Sequence, residues 1–84
     1  MNTTQRRTLL RILERPTRSD LRWSDVEALV TGLGGEIVER EGSRVVLVLN
    51  GLRGHFHRPH PKPETRKAAV DAVRSFLRAA GVSP

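Results

Sequence analysis

All three histidines of this chain, His55, His57 and His60, fall within one short stretch, with Arg58 among them and Arg53 just ahead. Imidazole has an unperturbed pKa of about 6.5, so histidine can serve as base or acid near neutrality. A guanidinium offers a planar fork of donors that matches phosphate oxygens. Three readings compete. His55 and His57 can be plain solvent-facing strand residues. The spacing His55-x-His57-x-x-His60 can supply three imidazoles to a metal, although the chain has no cysteine and a neighbouring guanidinium repels a cation. In the third reading, Arg44, Arg53 and Arg58 hold phosphate while a histidine transfers protons.

The element that must position these residues is the stretch Gly42–Pro61, GSRVVLVLNGLRGHFHRPHP. A β-branched run from Ser43 to Leu49 meets Asn50-Gly51, and both turn residues tolerate positive φ, which favours a two-residue type I′ turn. The return strand runs from Leu52 to about Arg58 and stops at Pro59 and Pro61, which have no N–H to give a ladder. This turn sets the register, and the register sets the faces. Leu49 then faces Leu52, Leu47 faces Gly54 and Val45 faces Phe56, a nearly all-apolar set suited to a core. The alternate positions pair Val48 with Arg53, Val46 with His55, and Arg44 with His57. Opposed side chains in such a ladder have Cβ atoms about 4.5–5.5 Å apart, so Arg44 and His57 are expected as neighbours on the outer face.

The rest of the chain reads as cover for the inner face. Residues 3–15 place Leu9, Leu10, Ile12 and Leu13 among arginines, an amphipathic helix stopped before Pro16. Ser24 can cap a second helix, with Glu27 completing a capping box and Trp23 at the staple position outside it. Val26, Leu29, Val30 and Leu33 recur at helical spacing until Gly34-Gly35. A short strand, roughly Glu36 to Arg40, turns at Glu41-Gly42 into the hairpin. The last helix, Glu64 to Ala80, carries Ala69, Val70, Val73, Phe76, Leu77 and Ala80 on one face, and Arg66, Lys67, Asp71, Arg74 and Arg78 on the other. Pro63 suits its first turn and Gly81 its C-terminal end. The order is α-α-β-β-β-α, an α+β domain with a three-stranded antiparallel sheet and helices on one face.

Eighty-four residues suffice for one small domain. Chains of this size bury roughly 60–65% of their unfolded surface. The absence of cysteine removes disulfides and thiolate metal sites. No apolar run approaches the ~20 residues that a membrane helix needs, so a soluble, cytoplasmic protein is expected. Charge is unevenly spread: residues 1–22 hold six basic and two acidic groups, residues 23–42 one and five, and residues 43–84 eight and two. Such segregation can attract a phosphate backbone or an acidic protein, beyond what a merely solvated Arg-rich surface requires.

Several pieces together resemble the HicA family of bacterial toxins over Ser24–Val82. They are Gly42-Ser43 at the head of a strand, the run Phe56-His57-Arg58-Pro59-His60-Pro61, and the closing Leu77-Arg78-Ala79-Ala80-Gly81-Val82. Residues 1–22 would be an N-terminal extension and residues 23–84 the toxin domain. The resemblance implies a double-stranded-RNA-binding-domain-like fold, cleavage of mRNA without a cofactor or metal, and a HicB-like antitoxin partner. The family's catalytic histidine follows the Gly-Ser pair, and here that position is Arg44. Either activity is lost or altered, or another histidine supplies the proton transfer, and the register makes His57 the candidate. The expected set is therefore His57 and Arg44 for catalysis, with Arg53, His55, Arg58, His60, Lys62, Arg66 and Lys67 for RNA. A non-catalytic RNA-binding module on the same fold and a domain that docks an acidic protein are the competing expectations.

Overall fold

The structure is a computed structural model and describes residues 1–84. Its elements are α1 (Thr3–Leu13), β1 (Leu21–Arg22), α2 (Trp23–Gly32), β2 (Glu36–Glu39), β3 (Arg44–Leu49), β4 (Leu52–His57), β5 (Glu64–Thr65) and α3 (Lys67–Ala79). The expected order α-α-β-β-β-α holds for the main elements, and β2-β3-β4 form an antiparallel three-stranded sheet. All six expected β3–β4 partners are present, from Arg44↔His57 to Leu49↔Leu52. Asn50 at φ 50° and Gly51 at φ 82° make the turn that fixes them. No helix is long and apolar enough to cross a membrane.

α2 and α3 cover one sheet face, and α1 packs against both of them. Val45, Leu47 and Leu49 of β3 join Leu9 and Ile12 of α1, Trp23, Val26, Leu29 and Val30 of α2, and Val70, Val73, Phe76 and Leu77 of α3 in a single buried cluster. Phe56 lies between two rings, 5.7 Å from Trp23 and 6.0 Å from Phe76 in an edge-on arrangement. That packing needs Gly54: a Cβ there would meet Phe56 at 2.7 Å and Phe76 at 2.8 Å. The strand therefore gives up a side chain to let an aromatic ring in.

Several sequence expectations are corrected. α2 begins at Trp23 itself, with Arg22 in the capping position and no side-chain cap, so Ser24 is not the cap and Glu27 closes no box. Glu27 instead accepts from the Trp23 indole N–H, which draws Trp23 into the helix rather than leaving it outside as a staple. The reciprocal capping box is at α1: the Asn2 side chain accepts from the Gln5 N–H at 2.8 Å, and the Gln5 side chain accepts from the Asn2 N–H at 3.0 Å. α1 ends at Leu13, and Leu10 is 47% exposed. β2 ends at Glu39 and β4 at His57. Leu52, placed with the core residues by its register, is 38% exposed, beside the turn.

α3 starts at Lys67, not at Glu64, because Glu64–Thr65 pair instead with Leu21–Arg22 as the two-stranded ladder β1–β5. Pro63 lies outside the helix, and its carbonyl accepts from the Trp23 N–H at 3.1 Å. The C-terminal end is as expected. Gly81 takes φ +81°, and the Val82 N–H returns to the Leu77 carbonyl at 2.9 Å.

The largest correction concerns Arg74, expected on the solvent face of α3 but only 2% exposed. Its Nε donates to the Ile12 carbonyl at 2.9 Å, and Nη2 donates to the Glu14 carbonyl and the Thr17 hydroxyl, each at 3.1 Å. Nη1 pairs with Asp71 at 2.8 Å, and the Thr17 hydroxyl donates to the same carboxylate at 2.7 Å. Carbonyls at the end of α1 lack helical partners, and a cation there also meets the negative end of the helix dipole. Thr17 first and Arg74 second hold the Asp71 carboxyl below its ordinary value. Arg74→Ala should therefore leave the buried Ile12 carbonyl, and the partly buried Glu14 carbonyl, without their partner, at a cost on the order of 3 kcal/mol. Denaturant unfolding of the variant beside Arg78→Ala, an exposed residue of the same helix, checks this. The Arg78 change should cost far less.

Candidate functional site at the exit of the hairpin

The outer sheet face, free of helices, has an apolar centre and charged ends. Val46 pairs with Val38 on one side and His55 on the other, and it is fully buried although it points away from the helices. Beyond it lies the row of Arg44 and His57, both exposed, with Arg40 alongside through an Arg40 N–H to Arg44 carbonyl bond of 3.0 Å. The Arg44 side chain meets no carboxylate. Its closest polar partner is the Glu41 carbonyl at 3.4 Å, so its charge remains available to a ligand.

Two depressions meet at the end of β4. The smaller, about 230 Å³, lies on the outer face and is lined by Arg40, Arg44, His55 and His57. The larger, about 1030 Å³, runs beside β4 toward the start of α3 and includes His57, His60, Lys62 and Arg66 in its walls. His55, Phe56 and His57 line both. His57 thus stands on the wall between an arginine-lined hollow and a basic groove. The three histidines do not gather into a metal-ligand cluster.

Of the residues singled out from sequence, His55, His57, Arg58, His60, Lys62 and Arg66 line the groove, while Arg44 faces His57 from the adjoining hollow. Arg53 and Lys67 line neither. Arg53 lies toward the Asn50-Gly51 end of the outer face, opposite Val48, and Lys67 opens α3.

Arg58 is in the groove wall, but its charge is already matched. Its Nε donates to Glu27 at 2.8 Å and its Nη1 to Glu39 at 2.6 Å. Its Nη2 reaches the second oxygens of Glu27 and Glu39 at 3.2 and 3.0 Å. This bidentate grip on two carboxylates leaves no fork for a phosphate. Arg58 therefore acts as a strut, joining the exit of β4 to α2 and β2, while its N–H donates to the Ser43 carbonyl at 2.8 Å. Sequence reasoning missed Glu27 and Glu39 in this role. The i,i+4 spacing of Trp23 and Glu27 signals their mutual contact, whereas nothing local signals a partner thirty-one positions away.

A family model described as the HicA toxin of bacterial toxin–antitoxin systems matches residues 23–82. The chain belongs to the HicA toxin family. No curated protein and no solved structure matches it. As a HicA toxin it is one half of a toxin–antitoxin pair and has an antitoxin for a partner. The matched segment begins at Trp23, where the indole, Glu27 and Arg58 meet, and α1 lies ahead of it.

Arg58 holds the Glu39 carboxyl below the ordinary glutamate value. A carboxyl lowered in the folded state contributes stability above its ordinary value, and that contribution is lost as pH falls through the lowered one. Melting temperature should therefore fall as pH drops below about 4.5. In Arg58→Met the part of this fall that Glu39 contributes should disappear. Thermal melts of both proteins between pH 6 and pH 3 give the comparison, and parallel curves would remove Arg58 as the cause.

Proposed function

We propose that this HicA toxin is an endoribonuclease that cleaves mRNA without a metal ion, using His57 and Arg44 at the meeting point of the two depressions. The observation that carries this reading is the opposition of Arg44 and His57 on the open sheet face, with the arginine unpaired and a basic groove adjoining. His57 takes the proton of a ribose 2′-hydroxyl. The 2′-oxygen attacks the adjacent phosphorus, and the bond to the 5′-oxygen breaks. The products are a 2′,3′-cyclic phosphate and a 5′-hydroxyl that gains its proton from water. Arg44 stabilises the charge that builds on the non-bridging oxygens. His60, Lys62 and Arg66 hold the strand along the groove, with His55 beside them. Arg53 and Lys67 meet phosphates beyond either end, and Arg58 keeps the β4 exit in place.

The antitoxin in this reading is HicB-like and covers the basic groove, and the toxin acts on cytoplasmic mRNA. A second reading keeps the same surface for RNA binding alone. It is favoured by one feature, the arginine where the family's catalytic histidine is expected. One experiment divides them: purified protein with an mRNA in EDTA. Cleavage should proceed in EDTA, and His57→Ala should slow it by about 10²–10⁴-fold, the usual worth of one acid–base group. Cleavage that needs added metal, or that survives His57→Ala unchanged, overturns the mechanism. Binding without any cleavage selects the second reading.

A further inference from the structure

The helix ahead of the family-matched segment presents a basic face that no internal interaction uses. α1 turns Thr8, Leu9 and Ile12 inward. Its solvent side carries Arg6, Arg7, Leu10 and Arg11, and Arg15 follows two residues past its end, all of them exposed. On a helix, positions four apart stack at about 6 Å intervals, so Arg7 and Arg11 form a row with Arg6 and Leu10 beside it, and Arg15 follows beyond the helix end.

Three arginines elsewhere in the molecule are matched. Arg18 pairs with Glu14 and Asp20, Arg58 with Glu27 and Glu39, and Arg74 with Asp71. Arg6, Arg7, Arg11 and Arg15 close no ion pair and make no side-chain hydrogen bond. Asp20 is drawn down first by Arg18 and only last by Arg11, and Asp71 first by Thr17 and only last by Arg15. The first turn of α1 contains no acidic residue, so Arg6 and Arg7 sit near the positive end of the helix dipole. Arg7 and Arg11 add a like-charge pair four residues apart, which disfavours a helix. Only Arg11, in the last turn, meets the favourable negative end of the dipole.

The helix is nevertheless held rigidly. The Asn2–Gln5 box closes its start, Leu9 and Ile12 are fully buried, and Arg74 grips the carbonyls at its end. These arginines are therefore displayed in a fixed array rather than on a loose tail. We infer that the solvent face of α1 is a second binding surface for the phosphate backbone of RNA, separate from the groove at the hairpin exit. A repeated, one-signed row suits a repeated phosphate. A protein partner is the poorer fit, since interface cores are depleted of charge and this face offers only Leu10 as an apolar anchor. The choice of RNA as the polyanion rests on the proposed function; the existence of the surface does not.

The test measures the affinity of the full chain for a labelled single-stranded RNA of mixed sequence across a series of salt concentrations. Four proteins are compared: the parent, Arg6→Gln/Arg7→Gln/Arg11→Gln, Arg44→Gln/Lys62→Gln, and Arg18→Gln. Each RNA phosphate that the protein no longer neutralises should flatten the slope of log affinity against log salt by about 0.7. The α1 triple variant should lose roughly two units of slope, again at ~0.7 per phosphate, and should melt no lower than the parent because like-charge crowding is relieved. Arg18→Gln, which removes a paired arginine, should leave the slope unchanged. An unchanged slope in the triple variant, with a reduced slope in the Arg44/Lys62 variant, overturns the α1 surface and leaves the RNA reading intact. No RNA binding by the parent overturns both. If the triple variant keeps its RNA slope but loses antitoxin binding, the face belongs to a protein and the inference is wrong.

Discussion

Everything that can be said about the site depends on the register of one hairpin. Asn50 and Gly51 both adopt left-handed backbone angles, a conformation that costs most residues a Cβ clash and these two little. A slip of one residue would send Val45, Leu47 and Leu49 to solvent and turn Arg44 and His57 inward. The turn is also tied to the helix layer, because the Asn50 side-chain amide donates to the Ala80 carbonyl at 2.7 Å. One asparagine thus serves the strand pairing through its backbone and anchors the end of α3 through its side chain. The opposition of Arg44 and His57 is a consequence of that arrangement several residues away.

Charge in this toxin is divided between groups that hold the fold and groups left open to ligands, and composition alone does not separate them. Arg58 and Arg74 look on paper like members of the basic surface. The first is closed by two carboxylates and the second is buried against a helix end. Arg44, Lys62 and Arg66 form no ion pair and border the depressions. Along the chain, the acidic stretch 23–42 gives Glu27 and Glu39 to Arg58. Part of the apparent segregation of sign is therefore a fold contact between two segments rather than a surface field.

This division also explains what was legible before the fold was known. Strand alternation and a two-residue turn are local rules with a short reach, so the partners of Arg44 through Leu49 could be read directly. The apolar row of α3 repeats at helical spacing, and Val70, Val73, Phe76 and Leu77 are buried as that row requires. The larger errors fall where the deciding partner is distant, whereas the Asn2–Gln5 box and the Trp23–Glu27 contact are local. Thr65 joins a strand instead of a helix because Leu21 lies across from it. Glu27 leaves its capping role because the Trp23 indole and Arg58 compete for its oxygens. Arg74 turns inward because α1 brings unpaired carbonyls to it. At the site, placement on the outer face was readable, while the neutralisation of Arg58 required the third dimension.

The grip of Arg74 on α1 carries a consequence for how the molecule is assembled. Arg74 is sixty-two positions after Ile12, whose carbonyl it holds. On a ribosome, α1 emerges early with Leu9 and Ile12 still lacking most of their cover, and it must wait for α3 before its end is closed. Contacts of such separation are completed late because the intervening loop must first be ordered. The hairpin can form meanwhile, since its strands are adjacent in the chain, but the layer that steadies it is finished only when the last helix is free. Until α3 is made, a nascent toxin of this design is thus an open sheet with an unattached basic helix, and its surface is assembled only once α3 docks.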